Sequence, residues 1–409
     1  MKIRTAGKWL AASVCIGLAT TAALTLPAQA NQHPDTANHR GDLVNVTAIG
    51  SATPETIIGD LKDGNFTFSA NQVKSSVHAY RLTYRTVDEN RKPTTASGLL
   101  VLPDTNRRDL ATITYLHGTM AGRADAPSVE AQGNDRYASY LYSSAGYATV
   151  APDYVGLGTG PGQHPYLDVA AETDASVDML KAARDASRRL GRNLRQDVYV
   201  NGFSQGGVVA LGLGQALRHG AVPGMRAVAI APISGPYELR TAEIPAALDG
   251  RLNQADAAFY LGYFLTAWQR IYHIYDKSAD VFQAPYADMI TQLFNGDSDE
   301  SVIFPKLPPT PRQLVKPAYL QQLAHPTGAL LAALRANDAT CANWRPNVPI
   351  RFFYAHGDEQ VSPVDTSQCR AQFAASGVHT TVVDVGNVGH SQSAERSVTQ
   401  VLRWFQQVA

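Results

Sequence analysis

Cysteine is nearly missing from this chain: there are three in 409 residues, and one of them, Cys15, lies in an apolar run near the N-terminus. So few exclude a disulfide-dense scaffold and cysteine-held metal clusters. An excess of one charge is missing too, since 35 Lys and Arg face 35 Asp and Glu, and no surplus remains to hold nucleic acid as a partner. The 11 histidines show no pairing at metal-ligand spacing, so neither a metal nor another cofactor is expected. Past Ala30 no apolar run approaches the ~20 residues that a membrane span requires. Internal repeats and low-complexity tracts are absent as well.

What is present begins with Lys2, Arg4 and Lys8 ahead of an apolar run from Trp9 to Leu26 that ends in Ala28-Gln29-Ala30. That order is a secretory signal, residues 1–30, with cleavage after Ala30. Ser13, Thr20 and Thr21 interrupt the run and argue against an anchor, and bulky Val14 before Cys15 argues against a lipoprotein site. Cleavage leaves 379 residues (409 minus 30) with 32 basic residues (35 minus 3) against 35 acidic, a net charge of −3. A chain of that size suits one principal domain with a sizeable insertion. Export, extracellular or periplasmic, exposes it to oxidising conditions, so Cys341 and Cys369 are expected to form a disulfide. Closing that loop contributes roughly 3 kcal/mol in the chain-entropy model.

Residues 31 to about 70 are polar with scattered Pro, Asn and Asp, and read as an irregular arm. Val77–Val87 and Thr94–Leu102 then read as antiparallel strands parted by Asp88-Glu89-Asn90. After them come short β-branched runs at Ala111–Leu116, Tyr147–Ala151, Val198–Val200, Arg226–Ile233, Ile350–Tyr354 and Thr380–Val385. Helical stretches alternate with these runs at Asp168–Leu190, Gly207–Arg218, Asp365–Ser376 and Ser391–Gln407. The alternation predicts an α/β fold, a mostly parallel sheet covered by helices on both faces, over residues 71–235 and 348–409. It lapses over residues 236–347, where an aromatic stripe from Phe259 to Tyr275 and a proline-rich run from Phe304 to Pro311 read as a mainly helical cap.

Gly202-Phe203-Ser204-Gln205-Gly206 stands between a predicted strand and a predicted helix, the context of a nucleophile elbow. Side chains two residues either side of Ser204 would collide in so tight a turn, which accounts for glycine at both places. A serine hydroxyl needs a base and a group to hold that base, and these should follow in the order acid, then histidine, after late strands. Asp358 sits in the turn after Ile350–Tyr354, with Glu359 as second choice; His390 follows Thr380–Val385 and opens the last helix. His356 reads as a hydrogen-bonded structural residue, and Asp384 precedes the histidine too closely to serve as the acid. Oxyanion donors should be the backbone N–H of Gln205 and one from the loop after the third predicted strand, Thr119 with Met120 next. Met120, Tyr154, Phe203, Phe264 and Trp268 are candidates for touching the substrate.

These segments carry a resemblance. Asp153-Tyr154-Val155-Gly156-Leu157-Gly158 with His164-Pro165-Tyr166, then Gly202 to Gly206, His356-Gly357-Asp358 and Gly389-His390 resemble the secretory lipases, the α/β-hydrolases similar to Candida lipase A and their bacterial relatives. The likeness spans about Val77 to Ala409. It implies the α/β-hydrolase fold, a cap between the sixth and seventh predicted strands, and hydrolysis of esters, acylglycerols among them, by a Ser204, Asp358 and His390 triad. The His117-Gly118-Thr119 loop is more similar to that of bacterial esterases than to that of the fungal lipases.

The expected activity is therefore that of a secreted serine esterase or lipase acting on a small-molecule or lipid ester, with transient contact at a lipid interface left open. A peptidase or aminopeptidase of the same fold is the alternative, for which Glu243, Asp249, Asp256, Asp297, Asp299 and Glu300 supply acidic groups in the cap. A non-catalytic binding module would show a degraded triad, and none is visible.

Overall fold

The computed structural model describes residues 39–342 and 344–408; the expected signal segment lies outside the described residues. Nine strands form one sheet in the order β1-β2-β3-β5-β4-β6-β7-β8-β9. They are β1 (Leu43–Ala52), β2 (Val77–Val87), β3 (Pro93–Pro103), β4 (Asp109–Leu116), β5 (Ala148–Pro152), β6 (Asn193–Phe203), β7 (Arg226–Ile233), β8 (Arg351–Tyr354) and β9 (Thr381–Asp384). The first three and β5 pair antiparallel in succession, and everything from β5 through β4 to β9 is parallel. This is the α/β-hydrolase arrangement expected from the alternation of strand and helix.

One expectation is corrected. Residues 31–70 are not an irregular arm throughout, because 43–52 form β1 and 54–63 form the helix α1 (Pro54–Asp63). β1 adds an antiparallel edge to β2 in a register interrupted at Ala48/Gly50, and its side chains are mostly exposed, which is why Asn, Thr, Ser and Gly suit it. α1 is capped by Thr53, whose side chain accepts from the Thr56 N–H, and begins on Pro54, whose fixed φ suits a first helical position.

The helices α2 (Asn134–Ser144), α3 (Val169–Arg189) and α4 (Gln205–Arg218), with those at Pro363–Ala375 and His390–Gln407, cover the sheet. One apolar core lies between it and α3 and α4, with Met179, Leu180, Val208 and Leu211 against Val198, Val200 and Ile230. A second lies on the other face, where Leu141 and Tyr142 of α2 and Val401, Leu402 and Phe405 of the last helix meet Ile113, Tyr199 and Phe353. The Cys341–Cys369 disulfide belongs to the first core and ties the segment entering β8 to the helix Pro363–Ala375.

Between β7 and β8 the chain turns through short helices around one long one, Gln254–Tyr272, and these share a third core built on Phe259, Tyr263, Phe264 and Trp268. Asn253 caps the long helix by accepting from the N–H groups of Ala255 and Asp256. Among the described residues no helix is long and apolar enough to cross a membrane, and no group of three or more His, Cys, Asp or Glu could hold a metal ion.

Candidate active site

β6 ends at Phe203 and α4 begins at Gln205, so Ser204 occupies the single residue at which a strand becomes a helix. It does so with φ +54° and ψ −122°, a conformation that L-residues rarely adopt. The two flanking glycines make that bend feasible. A Cβ on Gly202 would strike the Gly206 carbonyl, and one on Gly206 would strike the Leu116 carbonyl at the end of β4. The elbow therefore presses against the neighbouring strand as well as on itself.

The last helix brings in the histidine. His390 is its first residue, and its Nε2 lies 2.8 Å from the Ser204 hydroxyl while its Nδ1 lies 2.8 Å from Asp358 Oδ2. A carboxylate beside Nδ1 holds the proton there, which leaves Nε2 as an acceptor for the serine O–H. Asp358, in the turn after β8, is itself fixed because its Oδ1 accepts from the N–H groups of Gln360 at 3.0 Å and Val361 at 2.9 Å. Glu359, the second choice for the acid, instead accepts the backbone N–H of His390 at 3.1 Å, so it secures the helix start rather than the imidazole. His356 pairs with Asp384 at 2.8 Å on the surface, away from these three groups. Ser204, His390 and Asp358 are all buried.

Two cavities open on Ser204. One is an apolar slot of about 60 Å³ between the elbow and the helices that join β7 to β8, walled by Leu239, Ile244, Ala257, Leu261, Phe264 and Val361 among others. The other, of about 370 Å³, carries Asp135, Asp256, Glu300 and Glu395 and no Lys or Arg. Burial pushes Glu300 up to about 7 and raises Asp256, whose neighbour Glu359 adds repulsion. Thr119 lines both cavities, as do Tyr260 and Gln360, whose side chains are joined at 2.6 Å from the tyrosine hydroxyl to Gln360 Oε1. Neither the Gln205 nor the Thr119 backbone N–H donates to a protein acceptor among the described residues.

The candidate substrate contacts divide. Phe264 lines the slot, and Phe203 lines the acidic cleft with its ring 4.7 Å from that of His390. Met120, Tyr154 and Trp268 line neither. Met120 is buried against Ala126 and Leu157, Tyr154 lies between the rings of His117 and His164, and Trp268 packs beneath Phe264 at 4.3 Å while its Nε1 donates to the Tyr166 carbonyl. Their size and apolar faces, which suggested a pocket wall, are spent on the core behind it.

Glu243 was assigned no place at the triad by its sequence, yet it lines the slot and accepts the Ser362 N–H at 3.0 Å. Burial, and the nearby Asp358, raise its carboxyl above the usual range, and Asp365 beside it is raised further by the same burial. Only the fold brings residues 243, 358 and 365 together. The signal that could have been read was Glu243 itself, an acid set directly before the apolar run Ile244 to Leu248.

Neither a protein-family model nor a curated protein matches the chain by sequence. Solved structures do. The rice cell wall degrading esterase LipA from Xanthomonas oryzae superposes with a TM-score of 0.81 at 26% identity, covering 90% of this chain and 100% of that one. A ligand-bound form of the same esterase gives 0.77, also at 26% identity, with coverage of 90% and 98%. Candida antarctica lipase A in its closed state shares the fold with a TM-score of 0.67 at 15% identity, over 92% of this chain and 84% of that one.

Proposed function

We propose that the chain is one of the esterases and lipases of the α/β-hydrolase fold, as its likeness to the esterase LipA supports, and that it is a secreted serine hydrolase cleaving carboxylic esters through an acyl-enzyme on Ser204. The observation that carries the reading is the continuous hydrogen-bonded line from the Ser204 hydroxyl through His390 to Asp358, set where an apolar slot meets a polar cleft.

In the first half-reaction His390 Nε2 takes the hydroxyl proton as Oγ bonds to the ester carbonyl carbon. The oxygen of that carbonyl becomes an oxyanion, received by the N–H groups of Gln205 and Thr119; one such donor is commonly worth ~3 kcal/mol in the transition state. His390 then gives its proton to the departing alcohol. In the second half, water loses a proton to His390, attacks the acyl carbon and releases the acid, and the proton returns to Ser204. Asp358 stabilises the imidazolium in both halves without taking the proton. The apolar slot suits the acyl chain, and the cleft suits a neutral alcohol portion, since its carboxyl groups repel an anionic one.

Secretion is supported by the N-terminal segment and by the Cys341–Cys369 disulfide. Amide cleavage next to a free amine is a second reading, favoured by Asp256 and Glu300 in the cleft. Against it, Glu300 lies near 7 and is partly protonated at neutral pH, a poor partner for an ammonium group. Comparing p-nitrophenyl esters with aminoacyl p-nitroanilides separates the two readings, and faster turnover of the anilides would displace the ester assignment. For the nucleophile, a fluorophosphonate probe should label the protein and leave Ser204→Ala unlabelled. Equal labelling of that variant would refute the acyl-enzyme on Ser204.

A further inference from the structure

We propose that His164 and Tyr166, carried on the one loop between β5 and α3, are positioning residues that hold the two oxyanion donors Gln205 and Thr119 in place. The inference rests on the acyl-enzyme reading and adds to it the means by which the donors stay aimed. It also gives a role to Asp153-Tyr154-Val155-Gly156-Leu157-Gly158 and His164-Pro165-Tyr166, the segments that the reaction itself leaves unused.

The loop is folded back on itself by its own chemistry. The Asp153 carboxylate accepts from Ser97 Oγ at 2.6 Å and from the Ser128 N–H and Oγ at 3.0 and 2.5 Å. Gly156, at φ +79°, leaves room for the returning backbone of Gln163 and His164, which any Cβ there would strike. His164 Nδ1 then reaches the Val155 carbonyl at 3.1 Å.

That bond places the ring proton on Nδ1 and leaves Nε2 as an acceptor. Gln205 Nε2 lies 2.7 Å from it and 2.6 Å from Glu172 Oε1, so each of the two amide hydrogens has its own acceptor. Glu172 Oε1 also accepts the Leu167 N–H at 2.9 Å, which closes the loop's far end. Burial keeps His164 neutral, lowering it to about 3, and holds the Glu172 carboxyl well above the usual range. The amide is thus clamped between a neutral imidazole and a carboxyl whose protonated form burial favours. Its backbone N–H, one residue past the nucleophile, is fixed with it.

Tyr166 acts on the other donor. Its hydroxyl lies 2.9 Å from Thr119 Oγ1, and its ring stacks at 4.2 Å on Tyr263 of the long cap helix. The Tyr263 hydroxyl donates in turn to the Met120 carbonyl at 3.1 Å. Side chain and main chain of Thr119–Met120 are therefore both tied down. Ser204, Leu167 and Tyr154 all have positive φ, at +54°, +58° and +66°. Strain of this kind costs on the order of 1–3 kcal/mol per residue and persists only where surrounding contacts over-determine it.

The test compares the full-length wild type with His164→Leu, His164→Gln and Tyr166→Phe, using p-nitrophenyl butyrate and a trifluoromethyl ketone, which forms an oxyanion adduct with serine. His164→Leu should lower kcat by about tenfold or more with KM nearly unchanged, and should weaken the ketone by a similar factor. His164→Gln keeps an acceptor near the position of Nε2 and should recover most of that loss. Tyr166→Phe, which deletes one hydroxyl without leaving a void, should lose roughly threefold to tenfold in both readouts. The kcat–pH profile should keep its wild-type midpoint, because His390 is untouched. A purely structural role would lower Tm and leave kcat and ketone affinity alone. Values within about twofold of wild type for both His164→Leu and Tyr166→Phe would overturn the proposal; should His164→Leu not fold, Tyr166→Phe and Gln205→Leu decide it by the same criterion. A wild type without ester hydrolysis would instead bring down the acyl-enzyme reading first, and this one with it.

Discussion

At the scale of the residue, Asp358 and Glu359 are neighbours with the same functional group and different tasks. Asp358 Oδ2 meets the imidazole, whereas Glu359 Oε2 meets the backbone that carries it. Asp358→Asn would offer an amide where an acceptor is needed and favour the wrong tautomer of His390, so kcat should fall by about 10³–10⁴ with the thermal unfolding midpoint nearly unchanged. Glu359→Gln keeps an acceptor for the His390 N–H, and its kcat should stay within a few-fold. Steady-state kinetics on the two purified variants check both, and a larger loss in Glu359→Gln than in Asp358→Asn would reassign the acid. These residues were legible because an elbow, an acid and a histidine come in a fixed order on strands that the sequence marks by apolar runs. The Glu172–Gln205–His164 clamp was not, since its members are joined only by the meeting of α3, α4 and a loop, and hydrogen bonds across such distances leave no local pattern.

At the scale of the element, the strands of the parallel sheet were plain because burial on both faces requires continuous apolar runs. β1 was hidden for the opposite reason: it is an edge strand whose exposed positions hold polar residues, with Val44 half exposed. α2 was hidden because Tyr and Ser fill it and nearly every side chain is buried, so it has no polar face to set a helical period. The helical segment between β7 and β8 was legible as a lapse in alternation, but the slot beside it was not, as it needs the elbow, the π-helical turn Leu239–Glu243 and the long helix Gln254–Tyr272 together. Ala257 lies on that long helix and lines the slot. Filling the slot by Ala257→Phe should leave acetate esters cleaved nearly as before and erase the preference for longer chains, since each methylene lodged there is worth ~0.8 kcal/mol, or about fourfold in kcat/KM. A p-nitrophenyl ester series from acetate to octanoate measures this; an unchanged chain-length profile would place the acyl group elsewhere. The disulfide, expected from two cysteines and export, closes a loop of 28 residues' separation around Asp358. Cys341→Ser with Cys369→Ser should cost roughly 3 kcal/mol by denaturant unfolding.

At the scale of the whole molecule, the buried carboxyls set how stability depends on pH. Desolvation raises Glu243, Glu300 and Asp338, the last two to about 7, and lifts Glu172 and Asp365 further. An unfolded carboxyl loses its proton near 4, so between there and the folded values the native state holds more protons than the unfolded one. The stability that these groups contribute is therefore present in acid and is lost as pH rises through about 7. His164 works the other way, for its folded value is depressed to about 3, and it contributes a gain as pH rises towards 6.5 that is complete above it. The two trends oppose each other below pH 6.5, and only the carboxyl trend remains above. Thermal unfolding should therefore show Tm falling from about pH 6.5 to 8. Glu243→Gln keeps an acceptor for the Ser362 N–H and removes one of the protons lost, so its Tm should rise relative to wild type as pH increases across that range. A difference between the two proteins that stays constant from pH 5 to 8 would mean that the Glu243 carboxyl is ionised throughout, as an ordinary exposed glutamate is.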